Sequence, residues 1–172
     1  TLAKKIANYL HLPYLNTGLL YRAVAFKTIE NHIENYEDIE TISKLARDVK
    51  AEDLDNPELS TEAVGGIASK VAPIQEVRNI LLDFQKDFAK KGGVLDGRDI
   101  GTVICPNADY KFFITATLEA RAKRRYKEMI EKGKEASYED IYNKVKERDE
   151  RDFNRPIAPL KKADDAVEID TT

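Results

Sequence analysis

The densest cluster of reactive side chains lies in KERDERDFNR, residues 146–155. There Arg148, Arg151, Asp152 and Arg155 fall at i, i+3, i+4 and i+7, which on a helix is one face. Asp149 and Glu150 point elsewhere. Three guanidiniums around one carboxylate can take phosphate oxygens and a hydroxyl together. A solvated helix with internal ion pairs would also carry such residues. The abrupt, proline-containing stop that follows, NRPIAPL, is more than a surface helix needs. EARAKRRYKEM repeats the device, with Arg121, Arg124 and Arg125 at i, i+3 and i+4, and Glu119, Glu128 and Glu131 as everyday ion-pair partners. Joined through the GKEAS turn, the two helices would form a hairpin with a basic inner side. Such a hairpin could close over a polyphosphate and exclude water.

Three further places could serve a ligand. DGRDIGT follows an apolar run, so Arg98 and Asp99 fall just past a strand's carboxyl end, where open α/β sheets bind ligands. Gly97 and Gly101 would let backbone approach that ligand closely. NTGLLYR sets Thr17 and Gly18 at a helix start, with Thr17 as N-cap and Arg22 one turn inside, a natural anion seat. Ser69 and Arg78, in IASKVAPIQEVR, read by spacing alone as helix-surface residues.

The elements needed to position these groups alternate between helix and short strand. Leu2, Ile6 and Leu10 recur at helical spacing from the first residue, so that helix is expected to have lost its cap. Tyr14 and Leu15 form a brief strand, and a helix opens at Gly18. EDIETISKLARDVK is amphipathic, and the acidic AEDLDNPELS is a surface connection. Helices follow over 61–71 and 74–91, broken at Pro73. GGVLDG and YKFFITA read as strands buried on both faces of a parallel sheet. Helices over 118–132 and 138–154 and a last strand, AVEID, complete an α/β layered fold.

Composition narrows the function. The chain has 172 residues, 42% of them apolar and 34% charged. Its 28 Lys and Arg against 31 Asp and Glu give a net charge of −3, which argues against a nucleic-acid coat protein. Cys105 is the only cysteine, and His11 and His32 stand far apart, so neither a disulfide nor a structural zinc site is expected. No apolar run approaches the ~18 residues of a membrane span, and no secretory leader is visible, which makes the cytoplasm the expected location.

Taken together, TLAKKIA, NTGLLYR, IASKVAPIQEVR, DGRDIGTVICP, EARAKRRYKEM and KERDERDFNRPIAPLKKADDAVEIDTT resemble the bacterial cytidylate kinases, a family of P-loop nucleoside monophosphate kinases. The resemblance runs from end to end, and DGRDIGT with RDERDFNRPIAPL is its specific part. It implies a three-layer parallel sheet flanked by helices. It also implies transfer of the γ-phosphoryl group of ATP, with Mg²⁺, to CMP or dCMP. One kinase domain over 1–172 is implied, with a monophosphate-binding helical region near 23–92 and an Arg-rich lid near 118–155. By motif match, Ser69, Arg78 and Asp99 read cytosine, whose amine needs an acceptor and whose O2/N3 edge needs a donor. Thr17, Arg22, Arg98 and Arg155 surround the CMP phosphate, while Asp152 and Arg148 face the sugar. Arg124 and Arg151 are implied for ATP phosphates and transition-state charge, and Thr1 for ATP. No metal-ligating protein residue, no nucleic-acid or membrane partner and a monomeric state are expected.

The sequence departs from the family pattern in several places. The opening strand and the GxxxxGKG loop do not occur, and Thr1 matches the Thr just after that loop. The chain as it stands is therefore expected to lack kinase activity. Asn16 stands where the family has Asp, the stretch between Val49 and Ser69 is short, and a helix after DTT is missing. A kinase for UMP or AMP, a non-catalytic nucleotide-binding relic and an RNA-binding helix pair are the alternatives. Asp99 with Ser69 favours an amino-bearing pyrimidine, the retained Arg and Asp residues count against a relic, and the balanced charge counts against RNA.

Overall fold

A computed structural model describes residues 1–172, which divide into two compact units, residues 1–100 and 101–172. The first unit holds α1 (Leu2–Leu10), β1 (Tyr14–Asn16), α2 (Thr17–Glu30), α3 (Ile39–Arg47), α4 (Glu62–Val71), α5 (Gln75–Lys90) and β2 (Val94–Asp96). AEDLDNPELS, between α3 and α4, winds into two short 3₁₀ turns, Ala51–Asp55 and Pro57–Ser60. In the chain the units join through one π turn, Ile100–Ile104. The second unit holds β3 (Phe112–Thr115), α6 (Leu118–Glu131), α7 (Tyr138–Asn154) and β4 (Val167–Asp170). No helix is long and apolar enough to cross a membrane.

Capping chemistry starts nearly every helix where the sequence supplies a short polar residue. The side chains of Asp38, Thr61, Thr117 and Ser137 accept backbone N–H groups of α3, α4, α6 and α7. Two expectations about caps change. Thr1 caps α1 itself, its hydroxyl accepting from the Lys4 N–H at 3.3 Å. The cap of α2 is Asn16, whose Oδ1 accepts from Gly18 N–H at 3.0 Å, while Thr17 is already the first helical residue.

Both strand pairs are parallel, as the helix-strand alternation requires: β1 with β2 in the register Tyr14–Val94, and β3 with β4 in the register Phe112–Val167. Each ladder has two strands, so every strand is an edge. β2 is only half-buried and Phe112 and Ile114 of β3 stay exposed, where burial on both faces was expected.

The apolar core belongs mainly to the first unit. Leu20 and Val24 of α2 meet Ile42 of α3, Val64 and Val71 of α4 and Val77 and Leu81 of α5, with Leu59 closing the cluster from the 3₁₀ turn. In the second unit the buried apolar residues are Ile104, Ala122 and Ile141. Its helices therefore lean more on polar ties.

Candidate active site

In the first unit, Arg78 of α5 donates from Nη2 to Asp99 Oδ2 at 2.6 Å, and each side chain is only 9% exposed. Asp99 lies three residues beyond β2, where the strand-end rule places ligands. Arg78 is therefore not a surface residue of its helix. Its guanidinium carbon lies 5.7 Å from the Tyr21 ring centroid and Nη1 reaches the Ala72 carbonyl at 3.4 Å. A guanidinium left unpaired in such a place would cost several kcal/mol, so the two residues hold each other. Tyr21, on α2 beside Arg22, is a neighbour that spacing did not single out. No local sequence pattern marks it, because the arginine over its ring lies on a different helix.

The helix start at β1 is tied to β2. Thr17, buried, donates its hydroxyl to the Asp96 carbonyl at 3.1 Å, and Tyr14 donates to Asp96 Oδ2 at 3.1 Å. Thr1 Oγ1 lies 3.3 Å from the same Tyr14 hydroxyl. Burial, with the Asp96 charge, pushes the Tyr14 phenol above its ordinary value against the Thr1 contact. Gly97 has its own role here: a Cβ would collide with the Thr17 hydroxyl and press on Ile100. The close approach expected toward a ligand is thus made to the chain's own side chains. The same holds at Gly101, whose nearest neighbour is the Lys111 side chain.

Arg22, one turn into α2, donates from Nη1 to the carbonyls of Leu59 at 2.6 Å and Thr61 at 3.2 Å. It thereby ties α2 to the start of α4. Ser69, on α4, is exposed and donates back to the Gly65 carbonyl at 3.1 Å. Arg98 is half-buried beside Asp99.

In the second unit, Arg148 and Asp152 meet on α7 at 3.9 Å, as their i, i+4 spacing predicts, with Arg148 59% exposed. Arg151 is exposed one turn on. Arg155 has left the helical face, because it is the C-cap residue with extended backbone, and its Nε donates to the Ala158 carbonyl at 2.5 Å. The proline-containing stretch after it ends the helix. There the Leu160 N–H returns to the Asp152 carbonyl at 2.8 Å, satisfying one orphan acceptor of the last turn.

On α6, Arg125 pairs with Glu128 at 3.0 Å, the everyday reading of that stripe. Arg124 donates to the Thr171 and Thr172 carbonyls beyond β4. Arg121 turns to α7 and pairs with Asp149 at 2.5 Å, rather than with Glu119, Glu128 or Glu131. The inner side of the hairpin is therefore not uniformly basic, because a carboxylate of the facing helix neutralises its first arginine.

The family model for cytidylate kinase matches residues 1–172, the whole chain. The chain belongs to the cytidylate kinase family. Among curated relatives, the cytidylate kinase of Paramagnetospirillum magneticum is 47% identical, over all of this chain and 83% of its own length. That of Bartonella tribocorum is 44% identical over all of this chain and 80% of its own. That of Clostridium botulinum strain Langeland is 44% identical, covering all of this chain and 84% of the relative. The buried Arg78–Asp99 pair and the Arg148–Asp152 face are thus features of a cytidylate kinase fold, each within its own unit.

Proposed function

We propose that the protein transfers the γ-phosphoryl group of ATP to CMP and dCMP, giving CDP and dCDP for pyrimidine nucleotide metabolism in the cytoplasm. The observation that carries this reading is the buried Arg78–Asp99 pair. It offers one fixed donor and one fixed acceptor. Cytosine presents the complement, an exocyclic amine that donates and an O2/N3 edge that accepts. Uracil would turn a carbonyl oxygen toward the Asp99 carboxylate, leaving two acceptors face to face. Ser69, exposed on α4, adds a hydroxyl for the base.

Thr17, Arg22, Arg98 and Arg155 serve the CMP phosphate in this reading, and Asp152 and Arg148 the sugar. Arg22 holds two carbonyls through Nη1, so phosphate would be met by its other N–H groups or by exchange with those carbonyls. Arg124 and Arg151 serve the ATP phosphates and the charge that develops on transfer, and Thr1 lies toward ATP. Phosphoryl transfer asks the protein mainly for positioning and charge neutralisation, and one arginine can be worth ~10³-fold. Mg²⁺ enters with ATP as part of the substrate.

The test offers CMP, dCMP, UMP and AMP in parallel, by calorimetric titration of the chain and in an ATP-coupled assay. Tighter binding of CMP and dCMP than of UMP and AMP is expected. AMP is the informative competitor, since adenine also carries an amine. Equal affinity for CMP and UMP would overturn the base-reading assignment.

A further inference from the structure

The second half of α7 carries Arg148, Arg151 and Asp152, yet little apolar burial holds it in place. Ile141, near the start of α7, is the helix's buried residue. Arg148, Glu150, Arg151, Phe153 and Asn154 are all exposed. What fixes this half is polar. Arg121, in the first turn of α6, donates from Nη1 and Nη2 to the two carboxylate oxygens of Asp149 at 2.7 and 2.5 Å. Its Nε donates to the Ala116 carbonyl, just past β3, at 3.1 Å. One planar guanidinium thus joins a strand end, the start of one helix and the site-bearing half of the next. The fork-to-fork geometry sets direction as well as distance. The hydrogen bonds to Asp149 also hold the Arg121 guanidinium above its ordinary pKa.

We infer that Arg121 and Asp149 are positioning residues: they set the register of the second half of α7, and through it the places of Arg148, Arg151 and Asp152, without touching a nucleotide themselves. This rests on the reading that α7 serves the nucleotide. It removes Arg121 from the phosphate-facing stripe that its spacing with Arg124 and Arg125 suggested. A displacement of about 1 Å in a positioning element can cost ~10²-fold in function, which makes the pair consequential.

The experiment compares Arg121→Lys, Asp149→Asn and the charge exchange Arg121→Asp with Asp149→Arg. Amide hydrogen exchange over residues 146–154 and CMP affinity are both measured. Each single variant should speed exchange in that segment and weaken CMP about tenfold, while the CMP-to-UMP affinity ratio stays at the parent value. The charge exchange should restore a large part of both. If Arg121 met a phosphate directly, an aspartate there would repel it, and the exchanged protein would bind CMP or ATP more weakly than Asp149→Asn. That result would overturn the inference, as would parent-like exchange rates in the single variants. Arg121→Lys keeps the charge and loses only the fork, so it serves if the exchanged protein does not fold. Failure of the parent chain to bind CMP would instead count against the proposed function, with hydrogen exchange still reporting on the tie.

Discussion

The two units solve the same problem, holding arginine beside carboxylate, in opposite ways. In the first, fifteen apolar residues are buried, and Arg78 and Asp99 are sealed together at 2.6 Å. In the second, three apolar residues are buried, and Arg148 stands 59% exposed at 3.9 Å from Asp152. A sealed pair has already met its desolvation cost, so its donor and acceptor stay in fixed places. An exposed pair costs little to rearrange and can follow charge as it moves. On the proposed function, the sealed pair reads the base and the exposed pair faces the sugar.

The largest expected effect comes from breaking the sealed pair. Asp99→Ala leaves Arg78 buried without its partner and should cost ~3–5 kcal/mol, read as a shift in the urea midpoint. CMP binding should fall with it even where the variant remains folded. Arg155→Ala tests the other unit: CMP affinity should drop about tenfold or more, the worth of one charge-assisted bond, while cytidine affinity stays unchanged. An equal loss for cytidine would remove Arg155 from the phosphate.

Acid offers a third comparison. Hydrogen bonds from Lys111, at 2.8 and 2.6 Å, hold the Asp165 carboxyl below its ordinary value, with desolvation pulling the other way. A carboxyl depressed in the folded state contributes stability above its unfolded pKa of about 3.9 and loses it as pH falls through the folded value. Asp165→Asn should therefore be less stable than the parent above pH ~4, with the gap closing below it. Urea midpoints measured across the acid range would show this, and a gap that stays constant with pH would contradict it. The smallest effect is expected at Arg148→Ala, which should change stability by less than ~1 kcal/mol because the pair is solvent-screened.

Element positions were legible because period and punctuation agreed. The helix read over 138–154 has those bounds, and the strand read to end at Asp96 ends there. Burial was harder to read. Arg78 looks like any arginine on an amphipathic helix, and its partner lies 21 residues away, beyond the reach of helical spacing. Arg121 misled for the opposite reason: its spacing with Arg124 and Arg125 is real, but a guanidinium reaches across to a facing helix as easily as along its own. The glycines of DGRDIGT were read as places of close approach to a ligand, whereas the groups that crowd them are Thr17 and Ile100 at Gly97 and Lys111 at Gly101.

The central claim is that a fixed donor-acceptor pair selects cytosine. Its most direct test is the CMP-to-UMP affinity ratio, measured by calorimetry for the parent and for Asp99→Asn, which keeps the shape but can turn a donor toward the base. A site built to hydrogen-bond one edge should favour CMP by ~10²-fold or more in the parent, and the substitution should collapse most of that preference. A ratio that is the same in both proteins would show that Asp99 holds Arg78 without reading the base.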